Sequence, residues 1–342
     1  MFSVPFEVEK SIIVEKPPEL LFEVIGDFSI WPKWSPWLCM EPDCTYATAG
    51  DAGKTGHRQE WSGKIIGAGN MTIVASRQDE SLDYALEFLK PWKSRASVQF
   101  RLSAKGDRTE VTWRMQSALP VFLFFMKKNM EASLGGDFER GLAMLKELVE
   151  TGAVASAVRV SGAEPRQEMY YVGKHRTCSM KEMESAMNRD LTEMSELRTS
   201  DRLPKPTGVV TLYHRFDPVK QVAEYTSGYV YAAPPKEVGE GTVTGRLPMH
   251  DALRVNHKGA HRHLGNAWAA AMGCARSGYK VNKSLPMYEV YTDAPQNVPE
   301  ANMQTDIYLP HSDLIARKLL GYLRPCDCNA SLQALNSEGR IR

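Results

Sequence analysis

The residues with most to offer chemically lie near the end of the chain. Glu289 and Tyr291 stand two apart in the segment Met287 to Thr292, and a strand turns residues i and i+2 to the same face. A carboxylate among aromatic rings can hold a cationic ligand, because ring faces attract a positive charge. Burial would raise its pKa toward the range of a general acid or base. A strand with Glu289 facing solvent would read the same way, so the surrounding elements must decide. Tyr213, Tyr229, Tyr231, Tyr308 and Trp268 are the aromatics that could wall such a cleft. Core packing is the default role of each ring, above all of Trp268, which falls on the apolar stripe of a helix. In an enzymatic version Glu289 would be the base and Tyr213 or Tyr291 the proton donor.

Other clusters offer less. His257, His261 and His263 are spaced by four and two and interrupted by Gly259. They share neither a helix face nor a strand face, and no metal is expected there. Cys326 and Cys328 form a C-x-C without a second pair. No G-x-S-x-G elbow, phosphate-binding loop or dinucleotide glycine fingerprint occurs, which removes serine hydrolases, NTPases and Rossmann enzymes and leaves no cofactor expected. In the first half, His57 and Glu60 flank Trp61 on opposite strand faces and make no acid–base pair.

The elements that must position these groups follow from length and periodicity. The chain has 342 residues, 43% hydrophobic and 24% charged, with 42 Lys and Arg against 41 Asp and Glu. That length suggests about two domains, and a net charge of +1 gives no basic surface for a nucleic-acid backbone. Apolar stretches such as Val121 to Met126 fall far below the ~20 residues that span a bilayer. No signal peptide is visible at the N-terminus, and the six cysteines are sparse enough to read as reduced thiols. The expectation is a cytoplasmic protein with neither nucleic acid nor membrane as a direct partner.

Residues 1–150 open on an alternating strand, Phe6 to Val14, and Pro17-Pro18 then start a helix, where a missing N–H costs nothing. Period-two sets follow: Tyr84, Leu86 and Phe88; Val98, Phe100 and Leu102; Val111, Trp113 and Met115. Leu134, Phe138, Leu142, Leu145 and Val149 make one stripe of a closing helix. Residues 151–165, rich in Gly, Ala and Ser, read as a linker. Residues 166–312 contain a weak duplication, a β-α-β-β unit recurring after about 80 residues. The first unit has a strand near Met169, a helix capped by Ser179 and Glu182 with a stripe of Met180, Met183, Met187, Leu191 and Met194, and strands at Val209 to Phe216 and Gln221 to Tyr231. The second has a strand at Ala252 to Asn256, a helix carrying Leu264, Ala267, Trp268, Ala271 and Ala275, and strands at Met287 to Thr292 and Met303 to Leu309. Residues 313–342 read as a tail, partly disordered.

These pieces resemble two families. Ile12-Ile13-Val14 with Pro17-Pro18, Phe28 to Pro36 (FSIWPKWSP), the strand around Trp61, Thr109 to Trp113 and Asp137 to Lys146 (DFERGLAMLK) resemble the polyketide-cyclase/START-like (SRPBCC) superfamily. That resemblance implies a helix-grip antiparallel sheet around an apolar cavity for lipid-like or polycyclic molecules, which Trp61, Trp113, Phe88 and Phe100 could line. Val255 to Gly259, Met287 to Tyr291 and Thr305 to Pro310 are similar to the GyrI-like, AraC-type effector-binding domain, with Ala260 and His261 standing where that family often has an aromatic. This resemblance implies that Glu289 occupies the usual ligand-contacting position. The expected class is α+β, and the expected function is binding of two small molecules: a hydrophobic one in the first domain and an aromatic or cationic one in the second. Effector sensing or sequestration without direct DNA binding would follow, with a regulator protein or a second copy as partner. The alternative is a cleft-based hydrolase or cyclase-type enzyme.

Overall fold

The computed structural model describes residues 3–200, 203–236, 238–292 and 298–312. The tail read at 313–342, with Cys326 and Cys328, lies outside them. Alternation in the first half produces a seven-stranded antiparallel sheet of β1 (Ser3–Val14), β2 (Thr45–Ala49), β3 (Arg58–Ser62), β4 (Ala68–Arg77), β5 (Ser81–Lys90), β6 (Ser94–Lys105) and β7 (Arg108–Pro120). Their spatial order is β1-β7-β6-β5-β4-β3-β2. Helix α1 (Pro18–Gly26) follows β1, and α2 (Lys127–Thr151) closes the unit. Helix α2 ends on Gly152 at φ 88°, whose N–H donates to the Leu148 carbonyl at 2.8 Å; only a residue at ease in the left-handed region ends a helix this way at no cost. The predicted stripe holds Phe138, Leu142 and Leu145 against the sheet, at 0%, 1% and 0% exposure, and Trp113 of β7 stacks on Phe138 with centroids 4.2 Å apart.

The second half builds an eight-stranded sheet in the order β12-β9-β11-β10-β14-β15-β13-β8. Its strands are β8 (Ser156–Arg166), β9 (Met169–Ser179), β10 (Gly208–Asp217), β11 (Val222–Tyr231), β12 (Val243–Leu247), β13 (His250–Gly259), β14 (Met287–Tyr291) and β15 (Gln304–Pro310), with helices α3 (Met183–Thr199) and α4 (Gly265–Arg276). The duplication is visible in that order. The first unit supplies β9, β11 and β10, the second supplies β14, β15 and β13, and the two meet where β10 pairs with β14. Thr211 faces Glu289 across this seam. Ser179 and Glu182 do bond each other, but in a turn before the helix, which starts at Met183.

The reading of 151–165 as a linker is corrected. Residues 156–166 form β8, an edge strand paired along β13. Its small residues suit this place because only Val158 is buried, and Gly162 at φ 90° accommodates a register shift opposite Arg254 and Val255. A glycine at a bulge carries no side-chain signal of a strand.

Helix α4 lies between the two units. A Cβ on Gly273 would stand 2.2 Å from Ile65 Cγ2, and one on Gly265 2.9 Å from Arg140 Cδ, so the absence of side chains lets α4 approach the first unit closely. Trp37, Met40, Ile65 and Ile66 pack with Ala267, Ala270 and Ala271 of α4 in one apolar cluster. Glu147 of α2 accepts from Arg262 at 2.9 Å and pairs with His263 at 2.6 Å. Burial pushes the Glu147 carboxyl up, but the bonds from Arg262, the Ala155 backbone and His263 outweigh it and hold the pKa at about 2. A depressed carboxylate stabilises the fold fully above its ordinary value of 4.5 and loses that contribution as pH falls toward 2. Glu147→Gln is expected to cost roughly 2 kcal/mol at pH 7, a difference in urea unfolding that shrinks below pH 4.5. A cost unchanged at pH 3 would show that shape and not charge matters there.

Candidate functional site

Helices α3 and α4 cover the same face of the second sheet on either side of the seam, α3 over β9 and β11 and α4 over β8, β13 and β15. Tyr225 of β11 donates to buried Asp190 of α3 at 2.9 Å, and Trp268 of α4 donates from its indole to Glu289 Oε1 at 2.7 Å. Tyr213 of β10 donates to the same oxygen at 2.5 Å. Glu289 is 1% exposed, and its second oxygen, Oε2, has no hydrogen-bond partner among the described residues. Burial raises the Glu289 carboxyl, against the bonds from Tyr213 and Trp268 and the nearby Tyr291 hydroxyl, which favour its charge. The Tyr213 hydroxyl is pushed well up by burial and by the neighbouring carboxylate, so it stays a donor. Tyr291 approaches Thr211 at 3.2 Å, and Thr211 approaches Ser227 at 2.8 Å, which makes a polar floor beside the acid. Trp268 meets Tyr213 edge-on at 5.0 Å, with Met183 and Met187 of α3 packed against them. A buried carboxylate with one unpaired oxygen is costly, and such cost is characteristic of binding and catalytic sites.

Four of the expected residues therefore converge: Glu289, Tyr291, Tyr213 and Trp268. Tyr308 does not. It pairs with Tyr288 across β14 and β15, stacks on it at 5.0 Å and lies under Arg166 at 4.1 Å. Because Tyr288 alternates with Glu289, Tyr308 belongs to the opposite face. Tyr229 and Tyr231 share the site's face but pack with Val172, Met194 and Leu203 under α3. Periodicity within single segments missed Thr211 and Ser227, and the methionine stripe of α3 is legible in the sequence only as helix packing.

The histidines serve separate ends. His257, fully buried, pairs with Ser156 at 3.1 Å, His263 with Glu147, and His261 meets the Tyr291 ring at 5.6 Å. In the first unit, His57 Nε2 accepts the Phe28 N–H at 3.1 Å, and Nδ1 lies 3.0 Å from the Ala49 carbonyl. This arrangement fits a neutral ring protonated on Nδ1, a structural part and not a proton shuttle.

The grip of α2 leaves a cavity of about 220 Å³ in the first unit. Trp61, Phe88 and Trp113 all line it, while Phe100 lies behind Trp113 outside the wall. Trp113 keeps a buried indole N–H without a partner among the described residues. Among the described residues two charged side chains reach the lining, Asp137 of α2 and Arg276 of α4.

The first unit holds an apolar cavity and the second a buried carboxylate flanked by two helices, and comparison with known families bears on both. Residues 5–150 match the family profile described as polyketide cyclase / dehydrase and lipid transport, and residues 164–312 that of the GyrI-like small molecule binding domain. The chain joins a polyketide-cyclase/START-like domain to a GyrI-like domain. Solved structures similar to parts of it include protein MLL2253 of Mesorhizobium loti, at 16% identity over 42% of this chain and 97% of that one, TM-score 0.34. The Aha1 dimer of Colwellia psychrerythraea matches at 16% identity, 43% and 98% coverage, TM-score 0.33. EcmrR, from its DNA complex, matches at 18% identity, 55% and 66% coverage, TM-score 0.38. No curated protein matches the chain. Among the described residues no helix is long and apolar enough to cross a membrane.

Proposed function

We propose that this protein is a two-site small-molecule binder: its GyrI-like cleft takes an aromatic or cationic compound on Glu289, and its START-like cavity takes an apolar or polycyclic one. It acts in the cytoplasm by sensing or sequestering these compounds, without binding DNA itself, and relays to a regulator protein or a second copy. The observation that carries the reading is Glu289: a buried carboxylate with one oxygen unpaired, beneath Trp268 and Tyr213. A cation delivered there answers the unpaired oxygen and gains from the rings. Met183 and Met187 are flexible enough to move aside for ligands of different outline.

Native mass spectrometry of freshly purified full-length protein tests this directly. A cationic mass held by wild type and lost in Glu289→Gln supports the cleft, and a neutral apolar mass held by both supports the cavity. If no compound from a broad set of hydrophobic and cationic aromatics binds or raises the melting temperature, the reading fails.

The placement of two tyrosine hydroxyls, Tyr213 and Tyr291, beside the buried Glu289 carboxyl favours a second reading, a hydrolase. Glu289, its basicity raised by burial, would take a proton from water through Oε2 while Tyr291, or Tyr213 with its O–H turned from Oε1 to the substrate, polarises the electrophile. Glu289→Gln keeps the shape and removes the base, so turnover retained in that variant would sink this version.

A further inference from the structure

The START-like cavity is not walled by its own domain alone. Among the described residues Arg276, in the last turn of α4, is the one lining residue contributed by the GyrI-like domain and the one lining cation. Its side chain is exposed and has no ion pair or hydrogen bond among the described residues. Asp137, the other lining charge, is already met by Arg140 at 2.7 Å and by the Trp37 indole at 3.2 Å. The remaining wall is dominated by rings and aliphatic chains, including Trp61, Met71, Leu86 and Phe138. An apolar chamber with one uncommitted guanidinium at its rim has the chemistry of a site for an amphipathic anion.

The placement of Arg276 is built. Gly273, one turn earlier, seats α4 against Ile65, and the Ser277 hydroxyl, one residue later, donates to the Lys64 carbonyl at 2.9 Å. The loop it meets is itself fixed, because Glu41 accepts the backbone N–H groups of Lys64, Ile65 and Ile66 at 2.8, 2.9 and 3.0 Å. Arg276 is thus held at the cavity by contacts on both sides of it in the sequence.

We propose that the START-like cavity takes a molecule with an apolar body and a single anionic group, and that Arg276 of the GyrI-like domain binds that group. This rests on the proposed ligand role of the cavity and adds to it the charge of the ligand and a residue from the other domain. The volume of about 220 Å³ exceeds the ~150 Å³ that holds a benzene ring, which suits a medium-length chain or one to two rings. A guanidinium bonded to a carboxylate discriminates it from a neutral head group by about tenfold, less at high salt because the pair stands at the rim.

The test uses full-length protein titrated by calorimetry with decanoate, decan-1-ol and decan-1-amine, which share a tail and differ in head-group charge. Decanoate is expected to bind wild type about tenfold more tightly than decanol, and Arg276→Leu is expected to remove that preference while leaving decanol binding unchanged. Retained decanol binding shows that the variant is folded. Equal binding of decanoate and decanol to wild type, a decanoate preference that survives in Arg276→Leu, or preference for the amine would overturn the assignment of Arg276 and leave the apolar cavity standing. Failure of all three probes to bind wild type would overturn both.

Discussion

Glu289→Gln is expected to weaken binding of benzyltrimethylammonium about a hundredfold, and to leave binding of its neutral carbon isostere, neopentylbenzene, unchanged. The two probes have the same outline, so the difference isolates charge. Removing one partner of a buried charge pair costs 2–5 kcal/mol, and a hundredfold corresponds to about 2.7 kcal/mol. The variant keeps an acceptor oxygen for Tyr213 and Trp268, whose bonds at 2.5 and 2.7 Å converge on the carboxylate's Oε1, so the local geometry should persist. Stability should move in the opposite direction to affinity. The folded protein raises the Glu289 carboxyl above its ordinary value. Such a group stabilises the fold when protonated, and that contribution is lost as pH rises through the raised value. Because that contribution is lost as pH rises above the ordinary value of 4.5, Glu289→Gln is expected to melt no lower than wild type at neutral pH, and higher relative to it as pH increases. Cation binding by wild type should fall as pH drops and Glu289 takes up its proton. Loss of neopentylbenzene binding as well, or a melting temperature lowered by more than a few degrees, would show that the carboxylate holds the cleft together and does not read charge.

The site was legible to the extent that alternation and one helical stripe determine faces. Glu289 and Tyr291 share a face because they are two apart, and Trp268 points at the sheet because it belongs to the stripe of α4. What alternation cannot supply is the pairing between strands. Tyr308 reads as a wall of the cleft from its own segment, and only its register opposite Tyr288 sends it to the other face. Thr211 is hidden for the same reason: it becomes part of the site through its register opposite Glu289. Strand β8 was masked by composition, because an edge strand that buries one valine needs few of the residues that mark strands. Arg276 lay furthest from view. In the sequence it is a basic residue closing a helix, a common and favourable place for a positive charge, and only the docking of α4 on Ile65 brings it to a cavity built some two hundred residues earlier in the chain. Segment patterns encode the two domains well, whereas the surfaces at which domains meet depend on small residues such as Gly265 and Gly273 whose signal is an absence.

Trp113→Ala is expected to produce the largest loss of stability, about 4 kcal/mol in the unfolding of the START-like domain. Trp113 is 1% exposed and stands at the centre of the aromatic core, stacked on Phe138 at 4.2 Å and Phe100 at 4.8 Å, with Trp31, Trp34 and Trp37 edge-on at 6.3, 5.8 and 5.7 Å. Helix α2 approaches it so closely that a Cβ on Gly141 would stand 2.7 Å from the ring, which leaves little freedom for the helix to collapse into the space. The void would instead join the existing cavity, so the variant should accept a bulkier apolar ligand even as the domain weakens. Trp61 makes the useful contrast. It also lines the cavity, but it is only half-buried, with Phe88 edge-on at 6.3 Å, and Trp61→Ala should cost about 1–2 kcal/mol while loosening ligand binding by about five- to thirtyfold. Because a two-domain chain need not unfold in one step, the quantity to read is the first urea transition that carries tryptophan fluorescence. A loss below about 1 kcal/mol for Trp113→Ala would show that the ring is chiefly a ligand wall, and that α2 is held by its flanks at Leu142 and Leu145.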